Sequence, residues 1–370
     1  MDFGDKSIVL LVADTLSAFH LPFHGYDRET APFMAELAQQ NTYVEYGYAN
    51  APWTVPAHAS LFSGKLPKDH GTTSESMKFT ERSFVEALSE VGRFTLGIST
   101  NSLVSEELGF DKGFDSFVSS KMGVITENRG WGSTFQHLQD LNAEGVSGAR
   151  KYIGFLRSVV EERNWRAIPE GFRYFLWKKL DGARFTDFYE DFGAKDANQV
   201  LLNRLGCQEG FFAFVNYMEV HTPYYPPKEI AEEYVGDYKE AINLHDEIDF
   251  WDFTFSDEQL GEEEKATLKG LYDAEIRYLD VRIEELYQEV MERDEDTIFI
   301  IVGDHGELLG EYGAGGHQFG IWEKLLRVPI IIAGDGVPDT VIEETVSLRE
   351  LHDFILGEKE LEELGSEKVF

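Results

Sequence analysis

Two continuous apolar runs near opposite ends of the chain, each stopped by a carboxylate, constrain the fold more than any other feature. Ser7-Ile-Val-Leu-Leu-Val-Ala13 ends at Asp14, and Thr297-Ile-Phe-Ile-Ile-Val302 ends at Gly303-Asp304-His305. A strand with one face in water alternates polar and apolar residues. A run that is apolar at every position needs cover on both faces. Further strands are expected at Thr42–Ala49, Arg93–Ser99, Phe211–Tyr217 and Val328–Ala333. Helices are expected between them. Thr30 is placed to cap one over Ala31–Gln40, Gly64 ends a short one over Pro56–Ser63, and others cover Glu81–Val91 and Lys195–Leu205. Glu262–Glu292 is a long helix whose buried stripe is Tyr272, Ile276, Leu279, Ile283, Leu286 and Val290. Strand and helix alternate, so the fold class is α/β, with a mostly parallel central sheet and helices on both faces.

In open α/β sheets ligands gather at the carboxyl ends of the strands. Asp14, Asp304 and His305 all lie there, and two Asp with one His suit a divalent metal of mixed oxygen and nitrogen preference. Each of them alone would equally serve as a turn residue. Thr54 precedes the Pro56–Ser63 helix, where backbone amides favour an anion. It is either the N-cap of that helix or, beside a metal, a nucleophile, and the two roles are compatible. His58 lies one turn further on, as a donor to the same anion or as a packed helix residue. His221, before Thr-Pro-Tyr, and His317, in the Gly-rich loop Gly313–Gln318, are candidates to hold an oxyanion or protonate a leaving group. A bound His favours manganese or zinc, with magnesium and calcium left open.

These pieces, in this order, resemble the sulfatase branch of the alkaline phosphatase superfamily. The likeness rests on Val9–Leu16, His24–Pro32, Pro52–Gly64, Leu108–Phe117, Phe211–Pro227, Gly303–Glu307 and Gly316–Pro329. It implies a sulfatase-like catalytic domain over residues 1–357, with a variable insertion at about 119–194 and an acidic tail at 358–370. It also implies metal ligation by Asp14, Asp304, His305 and the nucleophile Thr54. His221 and His317 fall at substrate-oxyanion or leaving-group positions, and His58 at that of an Arg which orients the nucleophile in many members.

The sequence departs from the family pattern in ways that bear on chemistry. Sulfatases carry Cys or Ser at the Thr54 position, converted to formylglycine. Thr-Val-Pro-Ala-His is not Cys-x-Pro-x-Arg, and no conversion is expected. Ala13 stands where many sulfatases have a second Asp. Thr100 and Asn101 stand where many have Lys and His, and are taken as substrate-binding in their place. A Thr nucleophile resembles instead the phosphodiesterases and phospholipid-headgroup transferases. The expected activity is metal-dependent hydrolysis or transfer of a phosphate or sulfate ester through Thr54, with phosphoesters or phosphodiesters favoured. A sulfuric ester hydrolase is the alternative, and a non-catalytic binder of anionic glycans the second alternative. The carboxyl-terminal subdomain usual in sulfatases is reduced, so the pocket wall is expected from the middle insertion or a second copy of the chain.

Charge narrows the partners. The 370 residues hold 68 acidic and 33 basic side chains, a net −35. That excess opposes binding to bare nucleic acid, and it suits a high-salt cytoplasm where self-repulsion is screened. The acidic start does not read as a secretory leader, and no apolar stretch approaches the about 20 residues of a membrane span. A single cysteine, Cys207, excludes a disulfide framework. Arg150–Arg184 is basic and aromatic in this acidic chain. It is either an insertion paired with the protein's own acids, or a lid recruiting a polyanionic or lipid-headgroup ester.

Overall fold

A computed structural model describes residues 6–119, 191–206, 208–248, 250–255 and 259–365. Most of the expected insertion, and with it Arg150–Arg184, lies outside the described residues.

The apolar runs become the centre of an eight-stranded sheet. In chain order its strands are β1 (Ile8–Ala13), β2 (Thr42–Tyr48), β3 (Thr95–Ser99), β4 (Ser116–Ser119), β5 (Phe212–Tyr217) and β6 (Ile298–Gly303). A small hairpin, β7 (Leu308–Leu309) and β8 (Gly315–Gly316), follows β6, and β9 (Ile330–Ala333) and β10 (Thr340–Ser347) return to the sheet. The spatial order is β10-β2-β9-β6-β1-β5-β3-β4. β1 pairs in parallel with β5 on one side and β6 on the other. Its residues divide between two cores: Val9, Leu11 and Ala13 face one layer, and Ile8, Leu10 and Val12 the other. This division is why the run is apolar at every position.

Among the described residues the helices longer than one turn are α1 (Pro32–Gln40), α2 (Thr54–Ser63), α3 (Phe84–Glu90), α4 (Ala194–Leu205), α5 (Lys228–Val235), α6 (Tyr238–Glu247), α7 (Phe250–Phe255), α8 (Glu262–Met291) and α9 (Glu350–Ile355). The stripe predicted for α8 is wholly buried, from Tyr272 to Val290. No helix among the described residues is long and apolar enough to cross a membrane.

Several local expectations are corrected. β9 runs antiparallel to both its neighbours, β2 and β6. The segment between β6 and β9 stays at the carboxyl edge of the sheet, where the Gly306 amide donates to the Leu325 carbonyl and Tyr48 bridges Arg327. The chain therefore re-enters the sheet from the end at which it left, without a crossover to reverse it. Thr30 does not cap α1, because its hydroxyl donates to the His20 carbonyl. Asp280 of α8 takes the capping role across the layer, accepting from the Phe33 and Met34 amides at 3.0 and 2.8 Å. The acidic tail is docked as far as Leu364, since Leu361 and Leu364 are buried in the core with Ile342 and Val346 of β10.

Candidate active site

The carboxyl ends of β1, β3, β5 and β6 converge on one spot, and α2 points its first turn at it. Asp14 follows β1, and Asp304 and His305 close β6. All three are buried, and a ligand atom from each lies within 4.8 Å of the others. Thr54 is the first residue of α2, two residues earlier than the sequence predicts, with Trp53 at the N-cap and no side-chain cap bond. The hydroxyl is thus released from capping. Its Oγ1 lies 3.3 Å from Asp14 Oδ2, to which it donates, and 3.4 Å from His305 Nε2.

The bonds around the cluster leave one oxygen of each carboxylate without a hydrogen-bond partner. Asp14 Oδ2 accepts from Asn101 Nδ2, and Asp304 Oδ1 accepts from the Thr15 and His305 amides at 3.1 and 2.8 Å. Asp14 Oδ1 and Asp304 Oδ2 are buried with no hydrogen-bond partner. His305 Nδ1 donates to the Gly306 carbonyl, which turns Nε2 to within 3.6 Å of Asp14 Oδ1 and 3.4 Å of Asp304 Oδ2. Orphaned buried carboxylate oxygens are costly unless a cation meets them. Two such oxygens facing an imidazole lone pair are the donor set of a divalent metal.

Electrostatics agree with the geometry. Burial, and then the neighbouring His317, holds the His305 imidazole down at about 3, so it is a neutral ligand at ordinary pH. Burial, and then the Asp14 charge, pushes Asp304 well above the carboxylate range. Burial raises Asp14 too, but the surrounding imidazoles of His221, His305, His317 and His58 outweigh it and bring it below its usual value.

Backbone shape forces these groups together. Thr15 holds a left-handed φ of 60°, which a β-branched residue adopts only under constraint. Its hydroxyl donates to the Val220 carbonyl at 2.7 Å, and Tyr272 of α8 donates to its carbonyl at 2.6 Å. Gly303 and Gly306 flank the Asp304-His305 pair because a Cβ at either would meet the Leu16 or Lys324 carbonyl oxygen at 2.3 or 2.1 Å. Only glycine admits that approach.

The remaining sequence candidates divide. His221 and His317 come together beside His305, with ring centroids 5.1 Å apart for His221–His317 and 4.4 Å for His305–His317. His221 Nδ1 donates to the Thr222 carbonyl, leaving Nε2 for a ligand. His317 Nδ1 donates to Glu307 at 3.0 Å. Burial lowers the His317 pKa, but the Glu307 carboxylate more than reverses this and favours the cation. His58 does not offer a donor to an anion. It is fully buried, its Nδ1 donates to the Thr54 carbonyl at 3.0 Å, and its Nε2 accepts from Asn216 at 3.1 Å. Burial keeps it neutral, with a pKa of about 4. It fixes the backbone of Thr54, the orienting half of its expected role. Thr100 spends its hydroxyl on the Asn216 carbonyl. Asn101 reaches the cluster, but it holds Asp14 through Nδ2 while its Oδ1 accepts from the Leu103 amide.

Glu307, Asn216 and Tyr272 act on the site without having been singled out from the sequence. Glu307 lies two residues after His305, and Asn216 is the next-to-last residue of β5 at the same edge. Their position at strand ends was the available signal. Tyr272 was legible only as an apolar stripe residue.

Two buried carboxyl groups clamp the segment that carries His221. Glu219 accepts from the Ala194 amide, and Glu275 from that of Tyr225. Burial, followed by the nearby Asp191 charge, raises Glu219 from 4.5 to about 8. A folded-state pKa above the unfolded one gives stability that is complete below the unfolded value and is lost as pH rises through the folded value. Thermal unfolding should therefore show the wild type losing stability between about pH 5 and about pH 9, and Glu219→Gln should flatten that decline. An unchanged slope would mean that Glu219 is ionised in the fold.

Comparison with known proteins places this arrangement. The sulfatase family model matches residues 6–357. Choline-sulfatase of Rhizobium meliloti (strain 1021) is 22 % identical, over 97 % of this chain and 70 % of its own length. The phosphonate monoester hydrolase of Agrobacterium radiobacter superposes with a TM-score of 0.66 at 14 % identity, covering 95 % of this chain and 73 % of that one. The C-terminal periplasmic domain of a phosphoethanolamine transferase from Campylobacter jejuni gives a TM-score of 0.58 at 14 % identity, covering 95 % and 88 %. The chain therefore belongs to the sulfatase family of ester hydrolases, on an alkaline phosphatase-like fold.

Proposed function

We propose that the protein hydrolyses phosphate esters, monoesters or diesters, by covalent catalysis through Thr54, with a divalent cation held by Asp14, Asp304 and His305. The observation that carries this reading is the Thr54 hydroxyl, uncapped at a helix N-terminus and 3.3 to 3.4 Å from two members of a cluster with orphaned carboxylate oxygens. A cation bound there supplies Lewis acidity, favouring the alkoxide of an adjoining hydroxyl and neutralising charge on the phosphoryl oxygens.

The chain's own residues supply the rest. His58 and the start of α2 hold Thr54 in place, and its Oγ1, its proton already given up to solvent, attacks phosphorus while the bond to the leaving oxygen breaks. The backbone amides at the start of α2 donate to the phosphoryl oxygens, as does His221 Nε2 when its ring carries both protons. His317, kept cationic by Glu307, gives its proton to the leaving alcohol. Water then attacks the phosphothreonine, with His317 taking a proton back, and Thr54 is released together with phosphate or the remaining monoester.

Sulfate-ester hydrolysis is the second reading, favoured by the family match and by the choline-sulfatase relative. Against it stands Thr54, which cannot become a formylglycine. The test is turnover of 4-nitrophenyl phosphate, bis(4-nitrophenyl) phosphate and 4-nitrophenyl sulfate, with manganese or zinc in molar salt. Either phosphoester should exceed the sulfate by at least about tenfold in kcat/KM. A preference for the sulfate would replace this reading with the second one.

A further inference from the structure

Asp14, Thr15, Leu16 and Ser17 carry the chain away from β1, and the turn they make is closed by a side chain from α8. Tyr272 donates through Oη to the Thr15 carbonyl at 2.6 Å, and the same oxygen accepts from the Ser17 amide at 3.0 Å. Thr15 and Tyr272 are fully buried and Ser17 almost so. A backbone carbonyl and amide buried in this way need partners, and one hydroxyl supplies both.

The turn fixes the relation of the two carboxylates. Thr15 follows Asp14 directly, and its amide donates to Asp304 Oδ1 at 3.1 Å. Its hydroxyl reaches the Val220 carbonyl, and its own carbonyl reaches Tyr272. Bonds to three distant segments thus hold one β-branched residue at a φ of 60°. The Tyr272 ring is itself wedged, in T-shaped contact with His20 at 4.7 Å and with Tyr224 at 5.7 Å. Its neighbour Asp273 accepts from Tyr26 Oη at 2.6 Å and from Arg28 at 3.0 Å, which ties α8 to the chain beyond the turn.

We propose that Tyr272 is a positioning residue of the candidate metal centre, whose hydroxyl keeps the turn closed and so fixes Asp14 against Asp304. The ion rests on the reading proposed above, and the closed turn on the hydrogen bonds alone. Phenylalanine at 272 would keep the ring contacts and lose only the bridge. The Thr15 carbonyl and the Ser17 amide would then be buried without partners, a state the turn escapes by opening. Opening frees Thr15 from its left-handed conformation and draws its amide away from Asp304. The two orphaned oxygens, Asp14 Oδ1 and Asp304 Oδ2, then no longer face His305 Nε2 together. Loss of a group that orients metal ligands costs about ten- to a hundredfold in affinity.

Calorimetry with manganese or zinc, on protein first stripped by chelator, reads the metal half. Tyr272→Phe should bind the metal at least about tenfold more weakly than wild type. Tyr278→Phe is the control. It removes another hydroxyl from α8, one that donates to Asp191 at 2.5 Å, and should stay within about twofold of wild type. A general loss of stability would weaken both variants alike. Amide exchange in chelator, followed by NMR on protein isotope-labelled at threonine, reads the turn without any metal. In wild type the Thr15 amide should exchange within about tenfold of the Thr100 amide, which donates to the Asn216 carbonyl at 3.0 Å. In Tyr272→Phe it should exchange at least about tenfold faster, and in Tyr278→Phe at the wild-type rate. Metal affinity unchanged by Tyr272→Phe, or lowered equally by Tyr278→Phe, would overturn the proposal. So would Thr15 exchange unchanged in Tyr272→Phe, or fast exchange in wild type, a result that needs no variant to fold. If wild type bound neither metal, the metal half would fall with the cation reading, while Thr15 exchange would still decide whether Tyr272 holds the turn.

Discussion

Thr54→Ala protein should fold, bind metal and lose at least about a thousandfold in turnover of its phosphoester. The folding half of the expectation follows from the position of the residue. Thr54 starts α2 but makes no capping bond, and the ten residues of the helix are buried whatever its hydroxyl does. Alanine is a better helix former than threonine, so the helix gains rather than loses intrinsic preference. The catalytic half follows from the distances to Asp14 and His305. No other hydroxyl among the described residues lies within hydrogen-bond reach of both Asp14 and His305. Thr54→Ser keeps the nucleophile and should stay within about tenfold of wild type. A second check is chemical: rapid acid quench during turnover should trap phosphate on Thr54 in the wild type and none in the alanine variant. Turnover of Thr54→Ala near the wild-type rate would mean that water attacks directly and that Thr54 only lines the site.

Asp304→Asn should separate the two sides of the metal site. Asparagine keeps an oxygen for the Thr15 and His305 amides, so the turn after β6 should survive. It removes the orphaned charge that faces His305 Nε2. In wild type, manganese or zinc at a hundred times its dissociation constant should stabilise the fold by about 2.7 kcal/mol. The variant should show no cation-dependent rise in Tm, no stoichiometric metal and no turnover. In chelator the order should reverse. Wild type buries Asp304 beside the Asp14 charge, which raises the Asp304 pKa well above its usual value. The variant is free of that repulsion and should melt at or above wild type in chelator near neutral pH. Thermal scans with and without metal read both halves. A variant that still binds one equivalent of metal would show that Asp304 is not a ligand.

Much of the fold was legible because sheet position and sequence pattern are tied by one rule. β1, β5 and β6 are central, so they are apolar at every position, and the ligands follow where the apolar runs stop. The stripe of α8 was legible for the same reason. β9 was placed correctly but not its direction, because direction is set by the route of the preceding segment and not by the four residues of the strand. Thr30 illustrates a different limit. Its chemistry suits an N-cap, but Asp280, distant in sequence, supplies a stronger charged acceptor.

The site was legible in its ligands and less so in its supports. Asp14, Thr54, Asp304, His305, His221 and His317 meet where the strand ends predicted. His58, Thr100 and Asn101 were read as substrate contacts because they lie near the nucleophile and its neighbouring strand. Their hydrogen-bond capacity is instead taken up by Thr54, Asn216 and Asp14. Which partner saturates a buried polar group depends on non-local packing, and a sequence carries that information only weakly. Arg150–Arg184 lies outside the described residues.

The place of β1 in the sheet also sets the order in which the molecule can be made. During synthesis β1 emerges before either of its partners, β5 and β6. Roughly 200 residues must follow before the nearer of them can pair, and such distant closure makes folding slow. Until then a strand with two apolar faces has no sheet to enter, which is the condition that invites aggregation and chaperone capture. The Asp-Asp-His cluster is completed only when Asp304 and His305 have been translated. On the proposed reading, a nascent chain that stops before β6 lacks two of the three residues that would hold the cation, so metal loading waits for β6.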